Sequence, residues 1–316
     1  MKIMLAPMEG VVDNYMRETL TNIGGFDTCV TEFVRVVDDL LPRRVFLRLC
    51  PELNTGGYTS HGVPVIVQLL GSNPEAMAEN ARRAVVMGAP GIDLNFGCPA
   101  RCVNKNNGGS VLLKDPQRLY DVVSTVRKAV DENIPVSAKI RLGFESTELA
   151  IDNALAVQAA GANYVVVHAR TKADGYKHPA RWEWLARINE SLNIPVIANG
   201  DINSLQDYRQ CLEISTCSDV MIGRGAIARP DLARQIRLHQ QGITCEEYNW
   251  QQIQSIIFET ASTMRQQVKD RYVIARVKQW LNMMKREYQE AKVCFDDIRR
   301  LTTFNELDEY FKPRMV

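Results

Sequence analysis

The sequence predicts an α/β fold, a (β/α)8 TIM barrel followed by a C-terminal all-helical domain. Two observations predict the barrel. Eight short runs rich in Val, Ile or Leu recur between residues 2 and 223, each about the length of a strand. Each is followed by a stretch with helical spacing, and eight such units close most naturally on themselves. A third observation predicts the tail. Beyond Gly242 glycine is absent and the strand signals stop. The domains are therefore expected at 1–242 and 243–316.

The runs are KIMLA (2–6), TCVTEF (28–33), PVIVQLL (64–70), GIDLNFG (91–97), VSAKIRL (136–142), YVVVHA (164–169), PVIAN (195–199) and DVMIG (219–223). A doubly wound sheet is the rival architecture, but no GxGxxG follows the first run. Asn73-Pro74 and Asp115-Pro116 each read as a cap with proline at the first helical position. The segment 148–161 has helical spacing and stops on Gly161, and Ser204 and Asp231 can start later helices. In the tail, 253–270 and 272–291 are helical, and 295–311 adds one or two short helices.

Composition narrows the function classes. The chain has 316 residues, 46% of them hydrophobic, and a formal charge of +1, so no global field points to a polyanionic partner. A local field is present: 265–286 carries seven Lys/Arg against one acid, Asp270. The start, MKIMLAPMEG, does not read as a signal peptide, and no apolar run approaches the ~18 residues a membrane span needs. A cytoplasmic location is expected. Most of the eight cysteines should then be reduced, with Cys29 and Cys294 as core fillers.

Barrel chemistry sits at the C-terminal ends of the strands. The loops after the seventh and eighth runs carry Asn199, Gly200, Asp201, Gly223, Arg224 and Gly225. Glycines let backbone N–H groups approach phosphate closely, and Arg224 can complete a clamp. Lys139 falls on one strand face with Ser137 and Arg141. It reads either as a Schiff-base lysine or as a cation beside an electron-rich cofactor. His168 ends the sixth run without metal-ligand companions at zinc spacing and reads as a hydrogen-bond donor to a cofactor or its phosphate.

The loop NFGCPARCV (95–103) holds Cys98 and Cys102. A single C-x3-C pair is weak as a zinc site and unusual as a redox pair. No metal is expected. One reactive thiol is the better reading, and Cys98 lies nearer the strand end.

Taken together, APMEGV (6–11), TEFVRV (31–36), VQLLG (67–71), NFGCPARCV (95–103), GGSVLLKDP (108–116), KIRLG (139–143), VHART (167–171), IANGD (197–201), MIGRGA (221–226) and RVKQWL (276–281) resemble the tRNA-dihydrouridine synthase family. The segments at 31–36 and 275–281 resemble its bacterial C-type subgroup, which implies uridine 16 of the tRNA D-loop as target. The resemblance implies FMN in the barrel mouth, NADPH (or NADH) as reductant, and tRNA on the helical tail. Hydride would pass to C6 of a uracil and Cys98 would protonate C5. Lys139 would stand beside the flavin, with Gln68 on the ring edge and Pro7, Met8 and Glu9 along it. Asn199, Gly200, Asp201, Gly223 and Arg224 would hold ribityl and phosphate. Asn95 would contact the base and Tyr176 would stack near it. Arg35, Arg276, Lys278 and Arg299 match the positions that orient the tRNA. Cys102 is an unusual neighbour in this pattern and is left without a role. A monomer is expected.

The rivals are a small-molecule flavin oxidoreductase of the dihydroorotate dehydrogenase kind, a Schiff-base aldolase using Lys139, and a non-catalytic RNA-binding barrel. The first shares mouth and thiol but does not predict a basic tail. The second predicts a colourless protein.

Overall fold

The structure, a computed structural model, describes residues 1–104 and 107–314. Nine strands form one parallel sheet among them: β1 (Ile3–Leu5), β2 (Thr28–Val30), β3 (Val34–Arg35), β4 (Val65–Leu70), β5 (Ile92–Asn95), β6 (Val136–Gly143), β7 (Tyr164–Thr171), β8 (Val196–Asn199) and β9 (Asp219–Ile222). Pairing of β2 with both β1 and β4, and of β1 with β9, closes eight of them into a barrel.

The ninth, β3, was not expected. The run at 28–33 is interrupted, and the chain pairs with β4 twice: Cys29 and Val30 with Val65 and Ile66, then Val34 and Arg35 with Leu69 and Leu70. Between the two, the Thr31 hydroxyl rather than its carbonyl accepts from the Gln68 N–H at 3.0 Å. Glu32 turns its carboxylate to the N–H of Gly10. Two polar side chains that bond backbone break the ladder there.

Strand residues alternate in direction, so every second one points into the barrel. Met4, Ala6, Val30, Ile66, Val166, Ile197 and Met221 form an apolar cluster of their own. On the same parity lie Gln68, Asp93, Asn95, Ser137, Lys139, Arg141, His168, Arg170 and Asn199. The barrel interior is therefore part apolar plug and part polar network, with the polar part rising along β5, β6 and β7.

Caps sit where the sequence puts them. Asn73 accepts from Ala76 N, Asp115 from Gln117 N and Ser204 from Asp207 N, each opening a helix. Asp231 precedes the helix Leu232–Gln240 but makes no cap bond. Its carboxylate instead accepts from Gln235 Nε2 and, at 2.8 Å, from Tyr248 N. Cys29 and Cys294 are both buried in the core.

The tail forms helices Trp250–Arg265, Asp270–Met284, Gln289–Ile298 and Phe304–Phe311. Capping boxes start the first and last, at Asn249/Gln252 and Thr303/Glu306. Trp280 is buried against the barrel and donates its indole N–H to Ile227 O at 2.9 Å. Among the described residues no helix is long and apolar enough to cross a membrane.

Beneath the mouth, Arg17 is fully buried and bidentate with Glu52, at 2.8 and 2.9 Å. Its remaining N–H groups reach Val12 O and Leu49 O, tying the helix Asn14–Ile23 to the end of the helix Arg43–Leu49 and the 3-10 turn Pro51–Thr55. Arg17→Met should cost about 3–5 kcal/mol of stability, because it strands a buried carboxylate. Denaturant unfolding should show this, with Arg17→Met/Glu52→Leu recovering more than half of the loss.

Candidate active site

A cavity of about 520 Å³ opens at the C-terminal ends of the strands. The loop after β1 brings Pro7, Met8 and Glu9 to it, and β4 brings Gln68. Asn95, Cys98, Lys139, His168 and Tyr176 come from β5 to β7 and the loops after them. The loops after β8 and β9 bring Asn199, Gly200, Asp201, Gly223 and Arg224. Met283 closes it from the tail.

Cys98 sits in a tightly bonded loop. Asn95 Oδ1 accepts from Gly97 N at 2.9 Å and Cys98 N at 3.0 Å. Arg141 Nε donates to Gly97 O at 2.8 Å, and Ser110 N to Cys98 O at 3.1 Å. Gly109, at φ +65°, passes so close that an added Cβ would lie 2.9 Å from Cys98 O. Gly108 meets only ordinary contacts. The Cys98 thiol is half-buried. Burial pushes its pKa up and outweighs a backbone N–H from Ala100 that lowers it; Glu9 and Cys102 add to the rise and Arg141 opposes it. The thiol therefore keeps its proton at neutral pH. Cys102 is exposed, on the short helix Arg101–Asn104.

Lys139 donates to Asn199 Oδ1 at 2.9 Å, and Asn199 Nδ2 donates in turn to Met221 O at 2.8 Å. Burial lowers the lysine to about 8, Arg141 adds to this, and Asp93 pulls the other way. Among the described residues no carboxylate stands within ion-pair reach of Lys139.

His168 contacts Arg170 Nη1 through Nε2 at 3.1 Å. A guanidinium only donates, so Nε2 must accept and Nδ1 carries the hydrogen. Burial holds the ring well below its ordinary pKa, reinforced by Arg141, Lys139, Arg170 and Arg224. The histidine is thus a neutral donor in a cation-rich corner. Arg141 and Arg224 each lie 5.3 Å from the Tyr176 ring centre, and the His168 ring is 6.2 Å from it.

Asp201 lines the cavity, but its carboxylate is engaged by protein groups. Its carboxylate pairs with Arg170, accepts from Ala180 N at 2.7 Å and lies 2.8 Å from His178 Nδ1. Burial would raise its pKa, but Arg170, Ala180 and His178 together hold it below the usual range. Arg224 stands 3.6 Å from the other oxygen. What this loop can offer an anionic ligand is therefore backbone N–H and Arg224. Gly200, at φ +123°, would place a Cβ 3.1 Å from His168 Cδ2, so only glycine fits there comfortably.

The four cations expected to orient RNA lie outside the cavity. Arg299 is exposed. Arg35 is exposed and donates to Cys102 O at 3.2 Å. Arg276 is mostly buried and clamps the loop after β1, donating to Gly10 O and Val11 O and pairing with Asp13 at 3.1 Å. Lys278 donates to Arg299 O and Leu301 O, satisfying carbonyls at a helix end. Gln279 also bonds Gly10 O, so Arg276, Gln279 and Met283 share one helix face toward the mouth. That spacing was readable in the sequence. Arg286, exposed just beyond Met283, acts electrostatically on Arg224. Arg170 and Asp93 have no sequence signal beyond strand parity.

A barrel whose mouth joins a protonated thiol, a buried lysine and a guanidinium-lined corner defines an enzyme of the (β/α)8 class built to hold an anionic ligand. The chain belongs to the dihydrouridine synthase (Dus) family, whose profile matches residues 4–312. It is 49% identical, over 98% of both chains, to a tRNA-dihydrouridine(16) synthase of Aquipseudomonas alcaligenes. It is 50% identical to one of Pseudomonas putida, over 95% of this chain and 93% of that one. The fold is also that of the DHODH of Eimeria tenella solved with ferulenol, with a TM-score of 0.54 at 14% identity over 76% of this chain and 82% of that one.

Alkylation of Cys98 by a neutral maleimide, in a Cys102→Ser/Cys245→Ser background, should titrate with a midpoint above the ordinary thiol value of about 8.5. Below it, the rate should rise about tenfold per pH unit. A midpoint near 7 would mean that the mouth cations outweigh burial.

Proposed function

We propose that the protein reduces the C5=C6 bond of uridine 16 in tRNA, with FMN held in the barrel mouth and NADPH, or NADH, as reductant. The observation that carries the chemistry is the protonated Cys98 thiol in the same cavity as Lys139, His168 and Arg224. The target rests on the relatives of matching length that are named for position 16.

The residues present suit FMN. The cavity is of the size that cofactor sites have. His168 Nδ1–H, Arg224 and the backbone after β8 and β9 form a corner for phosphate and ribityl. Lys139, with an amide as its bonded partner, would sit beside the ring with Gln68, Pro7, Met8 and Glu9. When bound, reduced FMN supplies the hydride that adds to C6 of the uracil. Charge then develops at C5, and Cys98 delivers a proton there. Burial matters for this step, because a thiolate could not act as an acid. Asn95 is committed to Gly97, Cys98 and Gln68, which leaves its second Nδ2 hydrogen for the base. Turning the uridine out of its loop costs a few kcal/mol. Tyr176, 55% exposed at the rim, would stack on it.

In this reading residues 1–242 bind cofactor and carry the chemistry, and 243–316 engage RNA through Arg276, Lys278, Arg299 and the neighbouring cations, with Arg35 adding a contact from the barrel. The enzyme works as a cytoplasmic monomer. Arg276 and Lys278 then act chiefly by fixing the shape of the RNA-facing surface, since their own donors already serve backbone carbonyls.

Deleting the gene should remove dihydrouridine at position 16 and nowhere else when all tRNAs are mapped. Loss at another position would overturn the target and leave the reaction standing. Purified protein should be yellow, and Cys98→Ala should lower turnover about 100-fold or more while still binding FMN.

A further inference from the structure

Asp93 lies on β5, points into the barrel and is 1% exposed, beneath the cavity rather than in its wall. It is paired in register with Gln68 of β4 and Ser137 of β6. Gln68 Nε2 donates to Asp93 Oδ2 at 2.6 Å, and Ser137 Oγ donates to Oδ1 at 2.7 Å. Gln68 Oε1 then accepts from Asn95 Nδ2 at 2.7 Å, and Asn95 Oδ1 accepts from the N–H groups of Gly97 and Cys98.

Both ends of this chain are chemically unambiguous. An ionised carboxylate can only accept, and a backbone N–H can only donate. Between them stand two amides, each of which could face either way. Only one combination satisfies every bond. Turning Gln68 alone would set its oxygen against the carboxylate and its nitrogen against Asn95 Nδ2. The two amides are therefore coupled, and the direction of the whole chain is held from both ends, with Asp93 supplying the buried hold.

We propose that Asp93 is a positioning residue: through Gln68 and Asn95 its carboxylate fixes the loop that carries Cys98. Burial raises the Asp93 pKa to about 6, while Gln68, Ser137 and Lys139 hold it down, so the group is ionised at neutral pH. A neutral group there would remove the buried hold and leave the two amides oriented only by the loop's own N–H groups. Cys98 would keep the bonds to its carbonyl from Ser110 and Asn104, but Asn95, which holds its N–H, would be less firmly held, with every cavity-lining residue unchanged in identity.

The test uses apoprotein carrying Cys102→Ser and Cys245→Ser, so that maleimide reports Cys98; the remaining cysteines are buried. Asp93→Asn should speed alkylation about threefold or more at fixed pH, and should add nothing once Asn95→Ala is present. Asp93→Asn combined with Gln68→Glu should restore the parent rate within about twofold. The new carboxylate can accept from the amide placed at 93 and from Asn95 Nδ2. An equal effect of Asp93→Asn with and without Asn95→Ala, or no effect at all, would overturn the proposal. If Asp93→Asn does not fold, Gln68→Met cuts the same chain, and an unchanged alkylation rate in it would be equally fatal. The activity arm rests on the proposed function. There, Asp93→Asn should lower kcat about tenfold or more with KM for tRNA unmoved. Failure of the parent enzyme to make dihydrouridine would defeat that reading and leave the alkylation result to judge the chain.

Discussion

Burying Lys139 inside a closed barrel constrains everything around it. An ammonium taken out of water needs acceptors, and in this mouth the bonded acceptor is a single amide oxygen, from Asn199. Asn199 is in turn oriented by Met221 O, so the strand that completes the barrel also aims the lysine's partner. Burial suppresses the charge on both Lys139 and His168; Arg141 adds to this at both, and Arg170 and Arg224 add to it at His168. The mouth thus holds more positive charge than its own carboxylates balance locally. Its physical complement is an anion, and the cavity is where one can enter.

A cation-rich mouth is a poor place for a protonated thiol, because cations favour the thiolate. The structure separates the two demands. Arg170 is spent on Asp201, on Lys177 O and on His168. Arg141 is spent on backbone carbonyls of Gly97, Thr171 and Gly175. What reaches Cys98 is mainly burial, with Glu9 nearby, and both favour the neutral form. Arg141 and Arg170 are bonded elsewhere and do not override burial at the thiol, while Arg224 remains for an anion.

The eight barrel strands were legible because a buried parallel strand needs an unbroken apolar run, and such runs are visible without knowing the fold. The helix starts at Asn73, Asp115 and Ser204 were legible because a cap is a local bond. β3 was not, because what interrupts the run is a hydroxyl bond from Thr31 to a neighbouring strand. The mouth residues were legible by position, since strand ends face one way. Their partners were less so. Asp93 and Arg170 matter through strand register and through loops that return from far along the chain, and neither appears in spacing. Asp201 has partners that residue type did not announce: it lines the cavity, and its side chain bonds Arg170 and His178. Arg276 and Lys278 show the same for cations, whose charge was legible and whose bonds to backbone carbonyls were not.

Those bonds bear on how a helical tail can serve a site in a barrel. Arg276 and Gln279 grip Gly10 and Val11, in the loop whose preceding residues, Pro7 to Glu9, form one wall of the cavity. Met283, one turn further along the same face, enters the cavity itself. Trp280 fixes the opposite flank to Ile227, just after the β9 loop. The tail is therefore bonded to loops on two sides of the cavity, and the angle it presents is set relative to Cys98 and not merely to the barrel. An RNA lying on the tail would meet the thiol in one orientation, so changing which uridine arrives would require moving this clamp or the cations it leaves exposed. Specificity for one position can then reside in how the tail is bolted on, with the chemistry of the mouth left untouched.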